Sequence, residues 1–284
     1  MSILLTGSTG YIGSRFLEKL SALYPNEEIK LLARSNVDGY KTYKCDFLHD
    51  IIPNDAFNSV DIVFHIAGCA HDVGNKKLEN EYLKINTNST ISLANLAIQN
   101  NIKSFIFLSS VKASENNDIY GISKRKAEIE LLNIFKNSGI HHNILRSSLV
   151  YSPNLKGNLK SMFNGIKNGW FPPIPETNNQ RSMIHLDDLI DALLFVKLNP
   201  KTNGKILTVT DGNAYSSREI YNGLCKIAEK KPPNWEVPII FFKLISMLGK
   251  NFQFKVDKLF GNDLHSSKEI ELLGFRTKKT FLDI

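Results

Sequence analysis

The sequence predicts an α/β fold, a doubly wound parallel sheet with a smaller, mainly C-terminal lobe. Three observations predict it. Short apolar runs alternate with helix-period stretches through the first half of the chain. A glycine-rich loop, Thr6-Gly7-Ser8-Thr9-Gly10-Tyr11-Ile12-Gly13, joins the first such run to the first such helix. After about residue 151 the pattern loosens, with prolines at 153, 172, 173 and 175, then at 232, 233 and 238.

The elements follow in order. Ile3-Leu4-Leu5 reads as a strand and Phe16-Leu17-Glu18-Lys19-Leu20 as part of the helix after the loop. Ile29–Ala33 is a second strand, and a third precedes Asp46. Asp61–Ala67 is another strand, and Tyr82–Gln99 has helical periodicity through Ile85, Ile91, Leu93, Leu96 and Ala97. Phe105–Leu108 is a strand ending at Ser109-Ser110, and a helix begins near Tyr120 and runs to Phe135. Asn143–Arg146 and Lys205–Val209 complete the strands. Strands alternating with helices give a parallel sheet whose ligands sit at its carboxyl edge. We read residues 1–151, with a returning segment near 183–211, as a dinucleotide-binding domain and 152–284 as mainly a substrate-binding lobe.

Composition narrows the function classes. The chain has 284 residues, 42% hydrophobic and 22% charged, ordinary values for a globular protein. No apolar stretch reaches the roughly 20 residues that span a bilayer, so stable membrane insertion is not expected. The greasiest segment, residues 238–249, reads as a buried helix of the C-terminal lobe, with a membrane-surface helix as the alternative. Cys45, Cys69 and Cys225 fit neither a disulfide framework nor a zinc site, and the start runs straight into a strand. A reducing cytoplasm is therefore expected. The net charge of +7 attracts anions. No basic run is interleaved with stacking aromatics, so phosphorylated small molecules fit better than nucleic acid.

The loop carries the first chemistry. Glycine at 7 permits a tight turn, glycine at 10 lets backbone N–H groups approach a pyrophosphate, and glycine at 13 lets the helix pack closely on the sheet. The ribose acceptor of a dinucleotide should stand at the end of the second strand. Arg34 occupies that place and no carboxylate does. A guanidinium pairs with a 2′-phosphate, so NADP is favoured and NAD stays open. Asp46-Phe47 is placed to meet the adenine edge.

Tyr120-Gly121-Ile122-Ser123-Lys124 carries the second. Tyr120 and Lys124 share one helix face, and an ammonium beside a phenol favours phenolate, lowering a pKa that starts near about 10. Such a tyrosine exchanges a proton with a carbinol or ketone. Lys124 can also hold the nicotinamide ribose, and a hydroxyl at Ser110, with Ser109 beside it, can hold the same substrate oxygen.

These motifs resemble the extended short-chain dehydrogenase/reductases, the nucleotide-sugar epimerase, dehydratase and reductase group with its Rossmann-like fold. The resemblance runs from Thr6 to roughly Phe281. The family's glycine loop matches residues 6–13, its Ser/Thr matches Ser110, and its Tyr and Lys match Tyr120 and Lys124. Its strand-end His-x-Ala-Gly element matches His65-Ile66-Ala67-Gly68, which implies that Ala67 and Gly68 line the cofactor. Its helix-borne Asn matches Asn86, a further implied cofactor residue, and Ser109 is another. Lys156-Gly157-Asn158-Leu159 is similar to the stretch whose Asn contacts a nucleotide-sugar pyrophosphate. Arg181, in Arg181-Ser182-Met183-Ile184-His185-Leu186-Asp187-Asp188, matches an arginine that binds a substrate phosphate in relatives, and Asp187 reads as a helix N-cap.

Leu145–Pro153 looks like the family's Arg-Pro-x-x-Val-Tyr-Gly-Pro, with Ser147 for proline and Ser152 for glycine. The C-terminal part, residues 259–275, resembles bacterial 4-ketoreductases of UDP-N-acetyl-4-keto-6-deoxyhexosamines, which serve surface polysaccharides such as O-antigen and capsule. The resemblance therefore implies an NADP-dependent oxidoreductase reducing a UDP-linked keto sugar. A UDP-hexosamine 4-epimerase with retained NAD is the alternative, and a non-catalytic NADP-binding protein a third. A 4,6-dehydratase fits less well, since Val111-Lys112 follows Ser110 where an Asp-Glu pair would stand. A homodimer through the helices over Tyr82–Gln99 and Tyr120–Phe135 is a family expectation.

Overall fold

The structure is a computed structural model describing residues 1–69, 79–115, 118–247 and 249–281. Its described strands are β1 (Ser2–Thr6), β2 (Glu28–Ala33), β3 (Lys41–Lys44), β4 (Ile62–His65), β5 (Ser104–Ser110), β6 (His141–Ser147), β7 (Leu149–Tyr151), β8 (Arg181–His185), β9 (Lys205–Val209) and β10 (Ala214–Tyr215). Seven form one sheet in the order β3-β2-β1-β4-β5-β6-β9, and every neighbouring pair is parallel. This is the Rossmann-like α/β sheet that the alternation predicts. The order reverses between β1 and β4, and at such a switch point an open sheet leaves a crevice for a ligand.

The central strands have apolar middles and are buried along nearly their whole length, as strands covered on both faces are. Every residue of β1 and β4 is buried. Beneath the sheet Leu4, Val63, Phe105, Phe107, Leu93, Leu131 and Phe135 belong to one core. The helix Tyr11–Leu23 follows β1 and buries Gly13, Phe16, Leu17 and Leu20 at the spacing of one helical face. The Tyr82–Gln99 stretch is helical from Glu79, with a π-helical segment at Leu83–Asn88.

The chain divides into two compact units. One comprises Met1–Ser147, Leu189–Val209 and Glu269–Phe275; the other comprises Ser148–Asp188, Thr210–Lys268 and Arg276–Ile284. The second unit holds a small sheet, β10-β8-β7, and a core of Tyr151, Leu159, Met183, Tyr215, Leu224 and Phe281. Asp211 ties that core together, accepting from the Tyr151 and Tyr215 hydroxyls at 2.9 and 2.8 Å.

Two expectations need correction. Asp187 does not cap the helix Leu186–Val196; it lies inside the first turn. Its N–H donates to His185 Nδ1 at 3.1 Å, and its carboxylate pairs with Lys279 at 2.6 Å. The apolar segment after Pro238 forms the helix Ile239–Ser246, but it is not buried: Phe242 alone of its residues is. Hydrophobicity alone does not say which side of a helix finds a partner.

Candidate functional site

Because the sheet is parallel, the ends of β1, β2, β4 and β5 lie along one edge, which collects the glycine loop, Arg34, Ala67-Gly68 and Ser110. The loop's glycines answer three different demands. Gly7 has φ +76°, and a Cβ there would lie 2.7 Å from the Ala67 nitrogen. A Cβ at Gly13 would overlap the Gly7 carbonyl, so the helix packs closely on the loop's own backbone rather than on the sheet as expected. Gly10 has an ordinary φ of −80° and is exposed, and a Cβ there would lie 3.2 Å from the Gly7 carbonyl oxygen.

The loop fits a dinucleotide's pyrophosphate. No side chain caps the helix Tyr11–Leu23 at Gly10 and no acidic residue occupies its first turn, so its positive end faces outward uncompensated. The Ser8 hydroxyl is buried in the loop with no hydrogen-bond partner among the described residues. A phosphate oxygen would satisfy both. Thr9 is exposed, and Tyr11 and Ile12 are half-buried. We predict that Gly13→Ala costs about 1–3 kcal/mol of stability by overpacking and abolishes dinucleotide binding. Thermal melting and fluorescence titration check this; tight binding by a folded variant would refute the loop assignment.

His65 locks the loop from behind. Thr90 donates its single hydroxyl proton to the Asn86 carbonyl at 2.8 Å, so His65 Nε2, 2.8 Å from Thr90 Oγ1, must carry a proton and donate it. His65 Nδ1 is then an acceptor for Thr6 Oγ1 at 2.8 Å, and Thr6 accepts from the Ala67 N–H at 3.1 Å. Every member of this chain is satisfied only with a neutral imidazole. Burial and the Lys124 charge both hold the His65 pKa well below its usual value.

The strand end and the following helix supply the reacting groups. Asp118 caps the helix Ile119–Phe135, its Oδ1 accepting from the Gly121 N–H at 2.6 Å. A Cβ at Gly121 would overlap the Lys112 carbonyl, so glycine lets the helix start press against the segment after Ser110. That approach brings the Ser110 side chain into hydrogen bonding with Tyr120. The expected acidification of the phenol is absent. Burial pushes Tyr120 up to about 12, opposed mainly by the Ser110 hydrogen bond.

Lys124 is buried, donates to the Leu108 carbonyl at 3.0 Å and lies 4.5 Å from the Phe107 ring centre. Desolvation lowers its pKa to about 8, while Glu128, one turn further along, raises it. Of the next two residues on this helix, Arg125 is half-buried and Lys126 exposed.

Glu128 is a residue that the sequence reading missed. It is fully buried and holds Arg146 through two bonds, Nε to Oε1 at 2.9 Å and Nη2 to Oε2 at 2.6 Å. Ser109, expected at the cofactor, donates its hydroxyl to Glu128 at 2.6 Å. Strand alternation explains the difference: neighbours 109 and 110 face opposite sides. The one signal in the sequence was a carboxylate four positions after Lys124.

The other expected cofactor residues differ in their commitments. Asn86 accepts from the Cys69 N–H at 2.7 Å and donates to the Cys69 carbonyl and Ser123 Oγ at 3.0 and 2.9 Å. Both its amide hydrogens therefore fasten the segment after β4 to the Tyr120 helix. A Cβ at exposed Gly68 would sit 3.0 Å from Lys124 Nζ, so backbone and ammonium adjoin there. Asp46 turns its own loop, accepting from the Leu48 N–H at 3.0 Å, and Phe47 packs edge-on to His65 at 5.9 Å. Arg34 follows β2 directly and is exposed.

The second unit carries Asn158, exposed in the first turn of the helix Gly157–Lys167, and Arg181 at the start of β8. Arg181 Nη2 donates to the Gly261 carbonyl at 3.4 Å, and its buried Nε has no partner among the described residues. Desolvation lowers the pKa of this guanidinium, opposed by Asp263.

Comparison with known proteins adds to this geometry. The model of the NAD dependent epimerase/dehydratase family matches residues 3–210. The chain is 31% identical to the UDP-glucose 4-epimerase of Vibrio cholerae, across 98% of this chain and 92% of that protein. It is 26% identical to the UDP-2-acetamido-2,6-beta-L-arabino-hexul-4-ose reductase of Pseudomonas aeruginosa, across 74% of this chain and 53% of that one. The UDP-glucuronic acid 4-epimerase of Bacillus cereus, solved in complex with NAD, superimposes with a TM-score of 0.75 at 17% identity, covering 100% of this chain and 93% of that one. At that identity the likeness speaks for the fold.

Proposed function

The chain belongs to the NAD dependent epimerase/dehydratase family, and from that premise we propose that it reduces the 4-keto group of a UDP-linked N-acetyl-4-keto-6-deoxyhexosamine with NADPH. The observation that carries the reading is the convergence at the sheet edge of Ser110, Tyr120 and Lys124, where Gly121 lets the helix start press against the segment after Ser110 and Lys124 donates to the Leu108 carbonyl at 3.0 Å. A tyrosine kept protonated is a donor to an oxygen that becomes negative. Tyr120 gives its proton to the C4 oxygen while Ser110 holds that oxygen in place. Lys124, one turn along, offers its remaining N–H groups to the cofactor ribose. NADPH held there would supply the hydride, and Tyr120 supplies the matching proton that makes the ketone a secondary alcohol. The phenolate then regains a proton from solvent.

Gly7, Ser8, Gly10 and Gly13 would hold the pyrophosphate, and Arg34 the 2′-phosphate that distinguishes NADP. We assign Arg181, with its orphaned buried Nε, and Asn158 to the diphosphate of the sugar nucleotide. The likeness to the Pseudomonas aeruginosa reductase supports the keto-sugar substrate.

A second reading, a UDP-sugar 4-epimerase with retained NAD, is favoured by the 31% identity to the Vibrio cholerae enzyme. There Tyr120 would first take a proton from the C4 hydroxyl and later return it. One assay separates the two. With a freshly generated UDP-4-keto-6-deoxy-HexNAc, we expect NADPH oxidation and a 4-hydroxy product by NMR. NADPH should be preferred over NADH, and Arg34→Asp should shift that preference by about tenfold or more. Epimer formation from a UDP-sugar without added cofactor, and no NADPH oxidation, would replace this reading with the second.

A further inference from the structure

The second unit displays an apolar helix to solvent. In Ile239–Ser246 the large side chains Ile240, Phe241, Leu244 and Ile245 are 56, 53, 52 and 42% exposed, and Met247 just beyond is 78% exposed. At 100° per residue these five fall on one continuous arc. The opposite side holds the helix to the protein, through Phe242 against Phe260 with ring centres 5.1 Å apart. A helix on a water-facing surface normally carries this pattern the other way round.

The next helix, Lys250–Phe260, adds an exposed Phe252 and Phe254, at 46 and 60%, each with a lysine over its ring. Lys255 lies 5.9 Å from the Phe252 centre and Lys258 lies 5.6 Å from that of Phe254. Residues 238–260 contain four lysines and a single acid, Asp257. Exposed aromatics and aliphatics interleaved with lysine are the composition of an interfacial helix.

We propose that this pair of helices docks the protein on the surface of an anionic phospholipid bilayer, with the Ile240–Met247 arc in the headgroup boundary and the lysines against lipid phosphates. Length decides between lying on and crossing. Eight residues span about 12 Å, well short of the roughly 30 Å of hydrocarbon. Among the described residues no helix is long and apolar enough to cross a membrane. Charge decides between lipid and a second copy. A two-fold contact through this face would bring two lysine-rich surfaces together, whereas an anionic surface neutralises them.

The full chain is floated with vesicles of phosphatidylcholine alone and of phosphatidylcholine with phosphatidylglycerol. Binding is expected to the anionic vesicles, weakening with salt. Lys255→Gln and Lys258→Gln should each weaken it about fivefold, and Phe241→Asp with Leu244→Asp should abolish it. Thermal melts verify folding of these surface variants. No binding to anionic vesicles, or binding that a folded Phe241→Asp/Leu244→Asp protein retains, overturns the proposal. So does a dimer in sedimentation velocity that Phe241→Asp dissolves while wild type ignores vesicles.

Discussion

Replacing Tyr120 with phenylalanine is expected to lower turnover by about 10²–10⁴-fold, the usual contribution of a positioned proton donor. The substitution removes one hydroxyl and leaves the ring. Its hydrogen bond to Ser110 goes, but the helix start stays fixed by Asp118 on the Gly121 N–H and by the close approach of Gly121 to the Lys112 carbonyl. Fold and dinucleotide affinity should therefore persist, and the loss should fall on kcat. Ser110→Ala should cost less, since it removes a partner of the reacting oxygen and not the proton. The pH profile adds a second check. With the phenol near 12, the wild-type enzyme keeps its proton donor throughout the neutral range, so no alkaline limb from Tyr120 should show below about pH 10. A folded Tyr120→Phe enzyme with wild-type kcat would end the proposed chemistry.

Local features of the fold are legible in the sequence. The strand at Lys205–Val209 has the expected bounds, and β2 and β5 begin one residue earlier than the apolar runs suggest. β2 and β5 are buried on both faces along nearly all of their length, so there hydrophobicity and strand coincide. Glycines that answer steric demands within one loop were legible for the same reason. What escaped depends on partners distant in sequence. Glu128 reads as an ordinary helix carboxylate until Arg146 arrives from β6, and His65 becomes a neutral strut only when Thr6 and Thr90 enclose it. The phenol's direction is not legible in the sequence, where a lysine one turn away suggests attraction. In the fold Lys124 turns to the Leu108 carbonyl, and burial dominates Tyr120. The exposed Ile239–Ser246 helix escaped since periodicity gives a face but not what it meets.

Glu128→Ala is expected to destabilise the protein by about 3–5 kcal/mol, the cost of leaving a buried charge without its mate. Arg146 is 14% exposed along its side chain and would lose both bonds to the carboxylate, while the Ser109 hydroxyl loses its acceptor. The double variant Glu128→Met/Arg146→Met should recover most of the loss, because two desolvated charges give way together to apolar volume. The same carboxylate supports Lys124, whose buried ammonium titrates near 8. An unfolded lysine keeps its proton to about 10.5, so between about 8 and 10.5 the unfolded chain binds more protons than the native one. Stability from this group rises with pH through that window, and below about 8 its full burial cost applies. Glu128→Gln should move the start of the window to lower pH, since the group that raises the Lys124 pKa is gone. Urea midpoints at pH 7.5 and 9.5 test both points, with Lys124→Met as the control that lacks the slope. A Glu128→Ala loss under about 1 kcal/mol would mean that the Arg146 pair contributes no more than an exposed one.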